Sequence, residues 1–292
     1  MLNSSRRFFL TLLCVLYSPW LMADNVVLVS SNAFQDYERF LNGRDPVSIT
    51  DFSGPYSRRD VVEMVLVKQA LHLSGVAVPF TFAAEDDPDR IIEALRDGSA
   101  LAAGNTFWLD HLTPHYDELR ITTALINRGE FEVGFYVHPD AVVRENSDLR
   151  SRRQISTAQW KQDWDSLHSL GFDALLHWDT WPDQVNAVMT GDISFLLAPF
   201  QNGDDMVLQL GENRLVPIPG IKLGLIGSRH MAVSRAHPDG ALFNSALQLG
   251  LLRLKREDRI RQAYLDSGFL HPGVTDWVLI NAPGTNTAWQ VN

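Results

Sequence analysis

Cysteine is nearly missing from this 292-residue chain, the single one being Cys14 near the N-terminus. A disulfide framework, a thiolate zinc site and a cysteine nucleophile are thereby excluded from the rest of the chain. Positive charge is scarce too: 25 Lys and Arg stand against 35 Asp and Glu, a formal net charge of −10. Nucleic-acid and anionic-membrane surfaces need a basic patch to displace counterions, so no nucleic-acid partner is expected. Apolar runs are short. The N-terminal one, residues 8–16, falls far below the ~20 residues of a membrane span. No Gly-x-Ser-x-Gly elbow, Walker loop, dinucleotide fingerprint or His-Glu-x-x-His pair occurs, so no cofactor is expected and the chain reads as a non-enzyme. Asp110, His111, His115 and Asp117 lie close together, but Pro114 interrupts the turn, and a surface loop is expected there instead of a metal site.

What is present is an ordinary globular composition, 45% hydrophobic and 21% charged, of a length suited to one large domain or two modest ones. Arg6 and Arg7, the apolar run and the small Ala23 before Asp24 lay out a secretory signal peptide over residues 1–23. Residues 5–10 also resemble the twin-arginine export motif, so both export routes stay open. Cys14 follows Leu13 and not a small residue, which argues against lipid acylation. Cleavage after Ala23 removes two arginines and no acid, leaving a still more acidic protein expected in a bacterial periplasm.

Downstream, short apolar strands alternate with helices, the pattern of α/β layering on a largely parallel sheet. Strands are expected at residues 25–30, 78–83, 101–103, 119–126, 131–137, 154–157, 174–177, 193–198, 215–218 and 230–233. Helices are expected at 59–74, 87–97, 163–170, 182–190, around 204–210, and as one long terminal helix over 239–267. The chain also echoes itself. Pro88-Asp89 opens a helix that ends at Gly98 before an apolar strand, and Pro182-Asp183 does the same up to Gly191. His138-Pro139-Asp140 and His237-Pro238-Asp239 each follow an apolar strand. Matching units at corresponding places imply two similar lobes.

On these residues, with the return segment 228–269, the sequence resembles the type II periplasmic solute-binding proteins of family 3, the group associated with polar amino acids. The resemblance implies a two-lobe α/β fold, each lobe a mixed, mostly parallel sheet with flanking helices. It places residues 24–133 and 226–292 in lobe one and 134–225 in lobe two, with the connecting strands as a hinge. It further implies a monomer that captures a small polar solute for an inner-membrane permease. A sensory or accessory protein with a protein partner, and a dehydratase-like enzyme using His111 or Asp179 in the same cleft, are the alternatives.

In open α/β sheets ligands lie beyond the carboxyl ends of strands, where loops and helix N-termini converge. That rule selects Ser30, Tyr56, Asn105, Thr106 and Trp108 in the first lobe, and Thr157, Trp178, Asp179 and Gln201 in the second. Hydroxyls and amides give directional hydrogen bonds, and Trp or Tyr faces cover an organic solute. Against the family pattern, His111 stands where the carboxylate-binding arginine is expected and Pro199-Phe200 where the ammonium-binding aspartate is expected. A standard α-amino acid is therefore a poor fit to those two places. Arg128 and Arg229 are the candidates for a displaced anion contact, although a solvated hinge arginine is the favoured reading of each.

Overall fold

The computed structural model describes residues 25–141, 149, 154–156, 161–172, 175–177 and 180–282. The leader, and with it the expected cleavage site, lies outside the described residues. In chain order the first elements are β1 (Val26–Val29), α1 (Ser31–Leu41), α2 (Arg59–Ser74), β2 (Thr81–Ala84), α3 (Pro88–Asp97), β3 (Ala102–Ala103), β4 (Phe107–Trp108), α4 (Leu109–Leu112) and β5 (Leu119–Ile121). Next come β6 (Glu132–Val137), β7 (Gln154–Ser156), α5 (Lys161–Ser169), β8 (Leu175–His177), α6 (Trp181–Thr190), β9 (Phe195–Pro199), β10 (Leu208–Leu210), β11 (Asn213–Pro217) and β12 (Ile221–Gly224). The chain closes with β13 (Arg229–His230), β14 (Ala232–Ser234), α7 (Gly240–Arg256), α8 (Arg259–Asp266) and β15 (Val278–Leu279).

Two main sheets organise these elements, one per lobe, and β4 pairs antiparallel with β13 in a separate two-stranded sheet. The first has the order β2-β1-β3-β14-β5, with β1 parallel to β2 and β3, and β14 antiparallel to its neighbours. The second runs β10-β11-β6-β9-β7-β8, with β12 attached to β6 and β15 to β12. Each sheet is covered on both faces. Along β6, Val133, Phe135 and Val137 enter one core while Tyr136 enters the other. In β9, Phe195 and Leu197 alternate in the same way with Leu196 and Ala198. This period of two is what a strand with two apolar faces requires.

The echoed helices are present. Asp87 caps α3 and Thr180 caps α6, and each helix ends on a left-handed glycine, Gly98 at φ 81° and Gly191 at φ 80°. A side chain at such a φ would be strained, so glycine is the natural stop. The second echo also repeats a bond: the Nδ1 atoms of His138 and His237 accept from the amides of Asp140 and Asp239 at 3.1 and 3.2 Å.

Several elements differ from the sequence expectations, among them β4, α4 and β12, where no element was expected. The unanticipated α1 is capped by Ser30 and buries Ala33, Tyr37 and Phe40 on one face. Residues 208–210, expected as helix, form β10, paired with β11 across the two-residue turn Gly211-Glu212; Leu208 is buried and Gln209 exposed, the alternation of a strand. The long terminal helix is split because Asp258 adopts φ 56° between α7 and α8. Finally, Val278 and Leu279, expected with lobe one, pair in parallel with Ile221 and Lys222 of the second sheet. The chain thus passes between the sheets at 122–131, at 225–231 and again before β15.

Helix α2 is buried without a break over residues 61–67 and packs against α7. At their closest approach a Cβ on Gly250 would lie 1.9 Å from the Ala70 carbonyl oxygen. Replacing Gly250 by Ala gains about 1 kcal/mol of helix propensity but forces the two backbones apart. A net loss of about 1–3 kcal/mol is expected from the overpacking, visible as a lower midpoint in urea denaturation.

Candidate functional site

Within the apolar run of α2 sits Glu63, which has no solvent exposure. A buried carboxylate must be matched by donors. The amide of Thr106 donates to its Oε2 at 2.9 Å, and the Thr106 hydroxyl and Tyr264 hydroxyl donate to its Oε1 at 2.8 and 3.1 Å. Arg59, one turn earlier on the helix, approaches Oε1 at 3.5 Å and pairs with Asp60 at 2.5 Å. These partners come from α2, the β3–β4 loop and α8.

Arg229, on β13, joins the network from the second connection. Its Nε donates to the Thr106 hydroxyl at 3.0 Å and its Nη2 to the Thr106 carbonyl. Arg59 donates to the same hydroxyl at 3.2 Å, so two guanidiniums converge on one oxygen. Glu63 lies close by but is already engaged, and no carboxylate among the described residues pairs directly with Arg229. Burial, and then the Arg59 charge beside it, push the Arg229 pKa down to about 9. A guanidinium in that position is short of negative charge. Its flat face lies 4.7 Å from the Trp108 ring centroid, a cation–π contact that holds its orientation.

Both arginines line a cavity of about 590 Å³ between the lobes. An aromatic wall runs from Trp108 to Phe131 and Phe269, with successive centroids 5.4 and 4.8 Å apart. Across the gap, α5 presents Lys161, Gln162 and Asp163, and Trp181, Leu197 and Leu225 complete the apolar lining. Burial raises the Asp163 carboxyl from 3.8 to about 7. The amide of Gln162 donates to Asp110 Oδ2 at 2.8 Å, bridging α5 to α4 across the cavity's edge. The other Asp110 oxygen is buried with no hydrogen-bond partner among the described residues.

The residues expected at the site take several positions. Trp108 lines the cavity. Thr106 is buried behind it, organising the arginines. Asn105 donates to the Asp60 carbonyl at 2.8 Å and ties its loop to the start of α2. Ser30 caps α1, its hydroxyl accepting from Ala33 at 3.3 Å. Tyr56 is 51% exposed at φ 65°, beneath Arg39 and away from the cavity. Gln201 borders a smaller pocket at the cleft edge with Arg59, donating to the Pro199 carbonyl at 2.7 Å. Thr157, Trp178 and Asp179 lie outside the described residues. His111 and Pro199 both line the cavity, and Arg229 lies within it, not in solvent. Sequence reasoning missed Arg59, Phe269 and Asp163. Two signals pointed to the first: an arginine in the first turn opposes the helix dipole, and a lone glutamate follows it in an apolar run.

No family model matches the chain, and no curated protein matches it in sequence. Solved structures do. The chain is similar to the second substrate-binding domain of a putative amino-acid ABC transporter from Streptococcus pneumoniae, at 15% identity and TM-score 0.52, over 85% of this chain and 100% of that one. It is also similar to substrate-binding domain 2 of Lactococcus lactis GlnP in its open conformation, at 10% identity and TM-score 0.50, covering 87% and 97%. The periplasmic VFT2 domain of Bordetella pertussis BvgS matches at 13% identity and TM-score 0.50, over 83% and 92%. The chain therefore has the two-lobe type II periplasmic-binding fold. Among the described residues no helix is long and apolar enough to cross a membrane.

Two consequences are measurable. Glu63→Gln leaves Arg59 and Arg229 facing each other without their central counter-charge, and a loss of about 3–5 kcal/mol is expected, read by chemical denaturation. For Asp163 the folded pKa lies above the unfolded value, so the native state holds the proton more tightly. Stability is then full in acid and falls as pH rises from about 4 through about 7. Asp163→Asn should match the parent near pH 4 and exceed it near pH 8, in denaturation curves at both.

Proposed function

We propose that this protein is an exported, divergent relative of the family-3 solute-binding proteins that captures a small organic anion between its lobes. It acts by binding and not by catalysis. The observation that carries the reading is Arg229: a cation in the wall of the interlobe cavity, its flat face on Trp108, with no direct carboxylate partner among the described residues. An entering carboxylate or phosphate supplies the missing charge, and Arg59 reinforces it from the neighbouring position. Trp108, Phe131 and Phe269 take the apolar part of the ligand on one side, and Trp181 and Leu225 on the other. The arginine positions answer the departure at His111: the anion contact comes from α2 and β13, not from the β4–α4 segment.

Contacts to both lobes are complete only when the lobes are closed, so ligand shifts that population. Asp163 sits on the lobe-two side, where a ligand hydroxyl or ammonium would meet its carboxyl. The acidic composition, the signal-like N-terminus and the fold support a periplasmic monomer that hands its solute to an inner-membrane permease. The same fold serves a sensor equally well, and the partner distinguishes the two.

Isothermal titration against a panel of small carboxylates and phosphate esters tests the reading. At least one member should bind, and Arg229→Gln should weaken it by about tenfold to a hundredfold, the loss of one or two charge-assisted bonds. No binding across the panel, or binding indifferent to Arg229, would overturn the proposal.

A further inference from the structure

A second cavity, of about 630 Å³, lies behind the connecting strands. Those strands are hydrogen-bonded to each other, Gly129 N to Leu225 O and Leu225 N to Phe131 O, both at 2.8 Å. They form a partition whose side chains alternate. Phe131, Val133 and Leu225 face the interlobe cleft. Glu130, Glu132, Lys222 and Ile226 face the rear cavity. The far wall is α8, with Arg261 and Leu265, and the segment that leads to β15, with Leu270.

Its polar groups are mostly spoken for. Lys222, nearly buried, donates to Glu132 at 2.9 Å and to the Val274 carbonyl at 2.8 Å. Glu130 accepts twice from Asn127, at 2.7 Å each. The hydroxyls of Ser169 and Thr275 donate to nearby carbonyls, and Asn281 is bonded twice to Gly224. His271 Nδ1 accepts from the Gly273 amide. What remains is Arg128 and Arg261, both exposed at this cavity and neither with an acceptor among the described residues. Three cations face two carboxylates here, a positive excess on a protein whose net charge is −10.

We propose that the rear cavity is a second ligand site, taking a small organic anion whose oxyanion group meets Arg128 and Arg261 and whose apolar part lies on Leu265 and Leu270. The site is independent of the cleft reading, because no residue of the two cavities' linings is shared. Its occupant would touch both connecting strands and so bear directly on the hinge.

The test is isothermal titration of the full chain with citrate and with inorganic phosphate, chloride replacing each in the control. Citrate should bind the parent and Arg229→Gln with the same affinity, and should bind Arg128→Gln/Arg261→Gln at least about tenfold more weakly. Both arginines are exposed, and thermal melts of the double variant check that it folds like the parent. The site is refuted if citrate fails to bind, if its affinity ignores the double substitution, or if Arg229→Gln abolishes it. Phosphate binding with citrate excluded refutes the organic ligand.

Discussion

A carboxylate sealed inside an apolar helix has no water to fall back on, and Glu63 shows what that constraint imposes. Its two oxygens take donors from a loop, from α8 and from its own helix, so three parts of lobe one are registered against one charge. Left unpaired, such a group would cost several kcal/mol and would protonate or unfold its surroundings. Its satisfaction fixes Thr106, and Thr106 in turn fixes Arg229 through both its hydroxyl and its carbonyl. The cleft arginine is therefore held by a chain of bonds that begins out of contact with any ligand. A preorganised guanidinium loses little freedom when an anion arrives, which is where affinity is gained.

The geometry of the connecting strands extends that order to the second lobe. Gly224 approaches the Gly129 carbonyl so closely that a Cβ would sit 2.3 Å from its oxygen. This narrow pairing lets residues one apart on a single strand reach opposite cavities. A rotation of the lobes must bend these strands, and it moves both linings together. Gln162 and Asp110 add a direct bond across the cleft edge, and Ser166 accepts from the Ile226 amide at 3.0 Å. Directional hydrogen bonds thus join the lobes at the cleft edge and along the connecting strands.

Local rules made much of the fold legible. Gly75 stops α2 where its αL geometry predicts, and Pro88 and Gly98 bracket α3. The internal echo carried the two-lobe reading because it repeated both chemistry and position. Strand β10 escaped because three residues hold too little pattern to separate a helix from a strand, and its identity comes from pairing with β11. The site was less legible for a plain reason. Glu63 and Tyr264 are 201 residues apart and Thr106 and Arg229 are 123 apart, and no spacing rule spans such distances. Selecting strand ends chose Trp108, which lines the cavity, and Thr106, which bonds Arg229, but also Ser30, whose hydroxyl accepts from Ala33 as a helix cap. Position along a strand does not reveal which hydroxyls are already committed.

The anion binding proposed for the cleft of an acidic protein poses a question of range. The net charge acts through water and salt, where fields fade within about 8 Å at physiological ionic strength. Inside the cleft the walls are Trp, Phe and Leu, and the nearby charges act with little screening. Glu63 and Asp60 already answer Arg59, so the uncompensated charge at short range is that of Arg229. The overall charge therefore governs solubility and the approach of partners, while in the proposed reading one guanidinium and its neighbours set the sign of the ligand. Acidity of the chain and the anion affinity proposed for the cleft are compatible because they operate over different distances.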